Sequence, residues 1–381
     1  MCAGIAAAGP IRLPHLLLRG AKDDAPLSLF PVQTLWTLAL NNQLTAPPAF
    51  GASRGFFSIE GDRIVTYDLS SGTQTWMADA APQLEPAVGE GLLFIVETES
   101  LAALRVDDGG VAWRLPFAQA LAAPPVWDNG WLIVATADRE ILAFRGVDGH
   151  LVWRRYIGAN AHARPALAAD RVYVPTEDGR VVALDVATGE LLWERALQGA
   201  ANDILAFDER IYVGSNDNNF YCLLAEKGEV DWKWRTGGDV VGLAAADEHH
   251  VYFVSLDNVM RALDRKSGGQ IWKTALPLRP ARGPVLAGGT LIVTGLSSTA
   301  RAYDTKDGKV AGDVAAGAEL AAGPHLVAGT GTAALASLPT LIVVTRDIAK
   351  GATVTALTRS IDPPIVPMAP LPNPALITAV R

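Results

Sequence analysis

The sequence is poor in the residues that cross-link small folds or hold metal ions. Its only cysteines, Cys2 and Cys222, lie far apart in the chain, so neither a disulfide framework nor a CxxC metal motif is present. No apolar run reaches the roughly 18 residues that a membrane-spanning helix needs. Runs rich in Lys and Arg are also missing and the net charge is −8, which argues against nucleic-acid binding.

The motifs of the common hydrolases and nucleotide-binding enzymes are missing as well. No GxSxG elbow, HExxH helix or Walker loop occurs. Residues 329–334 have the GxGxxA spacing, but they fall between two strand patterns, so we interpret them as a loop insertion. Residues 215–219 offer oxygens that calcium could accept, but they lack the Gly and Glu of an EF-hand loop and are interpreted as a polar turn. We therefore predict no catalytic, cofactor-binding or metal-binding residues.

A strand–turn–strand pattern repeats along most of the chain, which is rich in turn residues, with 36 Gly and 24 Pro. It is clearest at residues 183–193, where an apolar stretch leads through a turn at Gly189 to a second apolar stretch ending in Trp193. Gly suits such a turn because it reaches positive φ without steric cost. The Trp recurs every 37 to 40 residues, at Trp36, Trp76, Trp113, Trp153, Trp193, Trp232 and Trp272. A period of this length predicts a repeat architecture.

Each repeat contains four short strand patterns, the last of which carries the Trp. In most repeats a Pro opens the first pattern, but Leu205 and Ala244 replace it in two of them. Eight such units predict an all-β fold, an eight-bladed β-propeller of four-stranded antiparallel blades. Trp36 has no preceding strands and the last unit has no Trp strand, so we expect the N-terminal strand to close the ring. Gly312 occupies one Trp position, and we expect Gly312→Trp to be tolerated unless that glycine needs a positive φ.

Three segments are predicted along the chain: a leader at residues 1–30, the propeller at residues 31–360 and a Pro-rich tail at residues 361–381. The leader has three interpretations. Cys2 is a candidate lipid-bearing residue of a truncated export signal, residues 6–8 are a candidate cleavage site, and a true start followed by a loose leader is the third.

The repeat resembles that of the pyrroloquinoline quinone (PQQ) enzymes and of the BamB family of envelope proteins. Their motif is Ala-x-Asp-x-x-Thr-Gly-x-x-x-Trp. Residues 183–193 match it fully, and residues 262–272 match it with Ser267 in place of Thr. Two repeats carry Arg105 and Arg145 where the motif has Asp. The resemblance implies a propeller in which each Trp packs between blades.

The resemblance also implies a function. Quinoprotein dehydrogenases hold their cofactor under a pair of adjacent cysteines, and this pair is missing, so we expect no cofactor and no enzyme activity. The BamB likeness implies a monomeric, non-catalytic scaffold in the periplasm or on the periplasmic face of the outer membrane. Its partner would be an envelope protein, with the outer-membrane barrel assembly machinery as first candidate. A PQQ-binding or degenerate quinoprotein and a small-ligand sensor that uses the channel are the alternatives.

Candidate partner-binding residues lie just before the first strand pattern of several repeats, a segment that reaches one mouth of the channel in propellers. Leu276, Leu278 and Arg279 match a loop of the BamB family that contacts its partner. We expect both leucines to be exposed, with burial of Leu276 as the alternative. The remaining candidates are charged mouth residues, for which simple solvation of loop ends is the alternative: His162, Arg164, Asp203 and Arg282.

Overall fold

The computed structural model describes residues 29–295, 298–327 and 338–360. These residues contain no helix, and therefore none that is long and apolar enough to cross a membrane. Their strands form eight antiparallel sheets arranged in a ring, which confirms the predicted eight-bladed propeller. Cys2, the GxGxxA segment at residues 329–334 and the tail at residues 361–381 lie outside the described residues.

The blades follow one another along the chain, and seven of them contain four consecutive strands, ordered from the channel outward. Blade 1 contains β2 (Ala49–Phe50), β3 (Arg54–Ile59), β4 (Arg63–Asp68) and β5 (Gln74–Asp79). Blade 2 contains β6 (Ala87–Gly89), β7 (Leu92–Val96), β8 (Ser100–Arg105) and β9 (Val111–Pro116). Blade 3 contains β10 (Val126–Asp128), β11 (Trp131–Ala135), β12 (Glu140–Arg145) and β13 (Leu151–Tyr156). Blade 4 contains β14 (Ala166–Ala168), β15 (Arg171–Pro175), β16 (Arg180–Asp185) and β17 (Leu191–Ala196).

In the second half of the ring, blades 5 to 7 repeat this order. Blade 8 differs because it contains five strands, one of which comes from the N-terminal end. Blade 5 contains β18 (Ala201–Phe207), β19 (Arg210–Ser215), β20 (Asn219–Leu224) and β21 (Val230–Arg235). Blade 6 contains β22 (Val240–Ala246), β23 (His250–Ser255), β24 (Val259–Asp264) and β25 (Gln270–Ala275). Blade 7 contains β26 (Val285–Ala287), β27 (Thr290–Thr294), β28 (Thr299–Asp304) and β29 (Val310–Ala315). Blade 8 contains β30 (Glu319–Leu320) and β31 (His325–Val327), both paired with β32 (Thr340–Asp347), then β33 (Gly351–Arg359) and β1 (Val32–Ala39).

The core lies between the blades and is built by the two middle strands of each sheet. Strands such as β11 and β15 are buried along almost their whole length, because a neighbouring blade covers each of their faces. Near-continuous runs of β-branched and aromatic residues suit such two-sided burial. The outermost strands alternate instead: β17 buries Trp193 and exposes the residues before and after it. The period-2 pattern therefore appears only at the edge of each blade.

The repeated Trp joins each blade to the next one. The ring of Trp193 in blade 4 covers the turn of blade 5, where a Cβ on Gly228 would lie 2.4 Å from Cε3 of the ring. Its indole N–H donates to the carbonyl of Ala225 at 2.9 Å. Five other Trp side chains donate in the same way across their interfaces, at 2.7 to 3.1 Å: Trp76, Trp113, Trp153, Trp232 and Trp272. The glycine of the turn is needed because the ring leaves no room for a side chain.

The N-terminal strand closes the ring as expected. β1 pairs with β33 in antiparallel register from Val32–Arg359 to Ala39–Thr353, so the first and last strands share blade 8. The backbone N–H of Ser360 donates to the carbonyl of Pro31 at 2.7 Å, at the point where the two chain segments meet. Leu29 and Phe30, the last two residues of the predicted leader, are buried in the core between blades 7 and 8.

The interface between blades 7 and 8 replaces the Trp contact with a different one. Gly312 stands at the Trp position of β29 and its φ is not positive, but Phe30 occupies the space beside it. A Cβ on Gly312 would lie 2.4 Å from Cδ1 of Phe30. The expectation that Gly312→Trp is tolerated is therefore wrong: the site is filled by a ring that comes from the N-terminal segment.

We predict that Trp193→Ala lowers the free energy of unfolding by roughly 3 to 5 kcal/mol, since it removes a buried ring and leaves a cavity. Trp234→Ala is the matched control, because Trp234 is only half-buried on the outer strand of blade 5. It should cost clearly less. Urea unfolding followed by tryptophan fluorescence and circular dichroism measures both, and a loss below about 1 kcal/mol for Trp193→Ala would contradict the interblade role.

A second prediction concerns Phe30 and Gly312. Phe30→Ala should cost about 3 kcal/mol or more as a buried aromatic truncation, and Gly312→Trp should cost about 1 to 3 kcal/mol through overpacking. The double variant should lose less than the sum, because the new ring enters the space that Phe30 leaves. Gly312→Trp combined with Phe117→Ala, a buried ring between blades 2 and 3, should be additive. Additivity in both pairs would show that the two positions do not share one space.

Candidate functional site

The blade 7 loop, defined as residues 276–282, runs from the end of β25 to the first strand of blade 7. Its first residue, Leu276, is only 6% exposed and packs in the core between blades 6 and 7. Its backbone N–H donates to the carbonyl of Asn258 at 2.7 Å, which fixes the start of the loop. The expectation that Leu276 is exposed is therefore wrong, and this leucine holds the loop rather than presenting itself to a partner.

Beyond Leu276, the blade 7 loop alternates between exposed residues and residues that pack against the blade, with Pro280 buried. Leu278 is half-buried against the same core, and Pro280 forms an isolated β-bridge with Gly295, so the backbone is held at both ends. Arg279 and Arg282 are exposed. Neither guanidinium forms an ion pair within 4.0 Å with any residue that the structure describes. The loop thus presents two positive charges that no described residue neutralises, beside one partly accessible leucine.

The charged residues of blades 4 and 5 converge at the channel mouth. Arg164 lies just before β14, and its Nη2 atom is 3.0 Å from Oε1 of Glu85, which lies just before the first strand of blade 2. Its Nε atom is buried and has no hydrogen-bond partner among the described residues. His162 is exposed and lies on the same segment, where its backbone N–H donates to the carbonyl of Pro175 at 2.9 Å.

Asp203 is the carboxylate on which this group of charges is centred. Burial raises the pKa of its carboxyl group, although the positive charges of Arg164, His162 and Arg282 oppose the shift. The sequence-predicted residues from blades 4, 5 and 7 are therefore close enough to interact, while Arg279 does not belong to this group. Among the described residues, no residue other than Asp203 itself donates a hydrogen bond to this carboxylate, and none forms an ion pair with it.

Two residues at this mouth were not singled out from the sequence. Glu85 holds Arg164 by the contact described above, and Leu243 of β22 is 48% exposed beside it. Glu85 precedes Pro86, which stands two residues early in its repeat, and Leu243 precedes the Ala that replaces the usual Pro. Departures from the repeat thus marked both positions, but a single sequence gave no reason to assign them a role.

On the far side of the channel, blades 1 and 8 bring two aromatic rings together. Phe50 of blade 1 and His325 of blade 8 stack with ring centroids 4.4 Å apart and an interplanar angle of 9°. Burial lowers the pKa of His325 to about 4, so the ring is neutral near pH 7. Cys222 is buried in the core between blades 5 and 6, and burial raises the pKa of its thiol to about 12. In the described ranges, no three His, Cys, Asp or Glu side chains are grouped so that they could hold a metal ion.

The chain matches a known protein family along most of its length. A family model described as "Outer membrane protein assembly factor BamB" matches residues 33–114, 80–205 and 204–337 of this chain. A curated protein with the same name, from Nitrosomonas eutropha, is 27% identical over 118 residues. That alignment covers 30% of this chain and 29% of the relative, so it spans less than a third of either protein.

Solved structures share the fold at low sequence identity. BamB from Moraxella catarrhalis superposes with a TM-score of 0.69 and 18% identity, over 86% of this chain and 99% of that one. A quinohemoprotein alcohol dehydrogenase from Pseudomonas putida superposes with a TM-score of 0.65 and 12% identity, over 86% of this chain and 76% of the dehydrogenase. At these identities the superpositions establish the propeller and leave the function to be argued from the residues.

We predict that Asp203→Asn stabilises the fold near pH 7. The raised pKa means that the ionised carboxylate is less favourable in the folded protein than in the unfolded chain. This penalty is complete above the raised pKa, and it disappears as the pH falls through that pKa toward the ordinary value, because the folded protein takes up the proton first. Melting temperatures of both proteins from pH 3 to 8 measure the difference. A variant that is less stable at pH 7, or a difference independent of pH, would contradict this assignment.

Proposed function

Because the chain belongs to the family described as outer membrane protein assembly factor BamB, we propose that it is a non-catalytic scaffold of the bacterial cell envelope. In this role it binds a protein partner on the channel face, through the blade 7 loop, at the periplasmic side of the outer membrane. The name shared by the family and by the curated relative supports outer-membrane protein assembly as the process. The assembly machinery of outer-membrane barrels is the first candidate for the partner.

The exposed arginine and adjoining leucine of the blade 7 loop are the main support for the proposal. Interfaces concentrate their binding energy in a few anchors, often an Arg beside apolar groups. Arg279 is such an anchor, since it has no charged partner of its own among the described residues, and Leu278 supplies the adjoining apolar surface. The buried Leu276 and the bridge at Pro280 fix the backbone before binding, which lowers the entropy that binding must offset.

The residues also favour a scaffold over an oxidoreductase. The adjacent cysteine pair of the quinoprotein dehydrogenases is missing from the sequence, and Cys222 is a buried, protonated thiol. Within the described part of the chain, the channel mouth presents charges suited to recognition and no metal-ligand group. The fold is shared with a quinohemoprotein dehydrogenase, but the residues that would do its chemistry are not recognisable here.

Leu278→Ala combined with Arg279→Ala should leave the fold intact and reduce the amount of partner that co-purifies from membranes of the native organism. The expected loss in binding free energy is about 2 kcal/mol or more, the range of interface hot spots. The matched control, Leu151→Ala with Arg154→Ala, removes an exposed leucine and an exposed arginine from the outer strand of blade 3. Circular dichroism checks folding of both variants. If the blade 7 variant retains every partner, the loop is not the docking site.

A further inference from the structure

Blades 5 and 6 begin their innermost strands differently from blades 1 to 4 and 7. In those five blades the strand starts directly after a Pro and has only two or three residues. In blades 5 and 6 the Pro is replaced, and β18 and β22 each extend to seven residues. Both contain a β-bulge, between Ala201 and Ile204 in one and between Val241 and Ala245 in the other. Bulges re-aim side chains, and here they act on adjacent strands at the channel mouth.

The two bulges direct Asp203 and Leu243 toward one cavity. This cavity has a volume of about 560 Å³ and is bounded by segments of blades 2 to 6, so it lies in the mouth of the channel. Its apolar wall includes Leu243, Leu205 and Pro165. A volume of this size falls within the range of small-molecule pockets, which are mainly apolar with a few fixed polar groups.

The wall of the cavity is held by contacts that do not involve the Asp203 side chain. Asn202, the other bulged residue of blade 5, donates from Nδ2 to the carbonyl of Val240 at 2.6 Å and to Oδ1 of Asn216 at 3.0 Å. In blade 6, Gly242 has a φ of +67°, and the backbone there touches Gly283 so closely that a Cβ on Gly283 would lie 1.7 Å from the Leu243 carbonyl oxygen. Blades 5, 6 and 7 are thus joined at the mouth by contacts that leave the Asp203 carboxylate free.

Three charged residues line the cavity, and two of them pair with each other. Arg164 and Glu85 form an ion pair with each other at 3.0 Å, so they largely cancel. Asp203 is the remaining ionisable group that lines the cavity, and no other described residue donates to its carboxylate. Arg282 and His162 are nearby, but both are exposed and neither comes within 4.0 Å of it. A partly buried carboxylate that receives no hydrogen bond from another residue is desolvated without full compensation, which leaves a place for a ligand that supplies a donor.

We propose that this cavity binds an organic cation, a primary amine or guanidinium on an aliphatic stem, with its charged head on Asp203 and its stem along Leu243, Leu205 and Pro165. Such groups combine a strong hydrogen-bond donor with an apolar chain. The donor matches the carboxylate of the cavity, and the chain matches its apolar wall. Two sources carry this chemistry: a free diamine, and the Lys or Arg side chain of a bound protein segment. The inference rests on the cavity alone and does not depend on the blade 7 loop.

The test uses isothermal titration calorimetry on the purified full chain, with two pairs of probes. Cadaverine is compared with pentane-1,5-diol, which has the same stem without charge. The peptide acetyl-Ala-Leu-Lys-Leu-Ala-amide is compared with the same peptide carrying norleucine in place of Lys. We expect at least one cationic probe to bind with one-to-one stoichiometry and its neutral counterpart not to bind. Binding of cadaverine indicates a free amine as the source, and binding of the Lys peptide alone indicates a protein segment.

Substitutions then locate the binding site. Asp203→Asn should weaken binding of the cationic probe by about tenfold or more, as expected for loss of a charged hydrogen bond. Leu243→Ala should weaken it by a smaller factor, about threefold or more, through loss of contact with the stem. Asp170→Asn is the matched control, since this exposed carboxylate lies in the hairpin turn of blade 4 at the opposite end of the channel, and it should leave binding unchanged.

Two results would overturn the proposal: no binding of either cationic probe at millimolar concentration, or equal binding by the wild type and the Asp203→Asn variant. Melting temperatures measured alongside show whether each variant is folded. Purified protein and defined probes are used, so this outcome is independent of the co-purification experiment on the blade 7 loop. Either proposal can fail while the other stands.

Discussion

The contact between a Trp ring and a glycine turn is the interaction on which the ring of blades depends. Blades of a propeller share no backbone hydrogen bonds across their flat faces, so side chains must hold neighbouring sheets together. Each repeated Trp covers the turn of the next blade, and six of the seven also donate the indole N–H to a carbonyl there, as Trp193 does to Ala225. The apolar area supplies the energy, and the hydrogen bond fixes the angle between the sheets. Repetition of this one contact sets the angle between successive blades around the ring.

Closure of the ring interrupts that contact at two interfaces. In blade 8 the turn that would receive a ring from blade 7 does not exist, because the two chain segments meet there near Pro31 and Ser360. Phe30 fills the space from the N-terminal side, opposite Gly312. At the next interface Trp36 covers Gly72, but its indole nitrogen is buried with no partner among the described residues. At the site of closure, the repeated contact between Trp and glycine is thus replaced or altered by contacts that differ from those of the other described blades.

The fold could be predicted from the sequence because its determinants are local and repeated. Trp spacing, Gly turns and short β-branched runs report the same architecture at each repeat, so errors in one repeat are corrected by the others. Phe30 could not be assigned in this way, because its partner Gly312 is distant in sequence and the contact occurs once. Burial of Leu276 was equally hidden, since a leucine in a loop gives no periodic signal that would distinguish core from surface.

The candidate site was only partly predictable for a related reason. Charges before the inner strands marked the mouth, and His162, Arg164, Asp203 and Arg282 do interact there. The cavity itself forms where two repeats lack the Pro that opens the inner strand. Pro fixes φ and has no N–H, so it limits the inner strand to a short ladder. Where Leu205 and Ala244 replace it, the ladder lengthens, and the extra residues are accommodated as bulges. A sequence pattern shows the missing Pro but not the direction in which the bulge points.

The bulges also explain how the scaffold can hold a carboxylate at some cost to stability. Asp203 is buried enough for its pKa to rise, and a carboxamide of the same shape would avoid that penalty. The wall around it is fixed by Asn202 and by the backbone contact at Gly283, so the fold does not need the charge. An interior charge that the fold does not need is more readily understood as part of a recognition site. In this propeller the uniform repeats provide stability, and the two blades that depart from them provide the site.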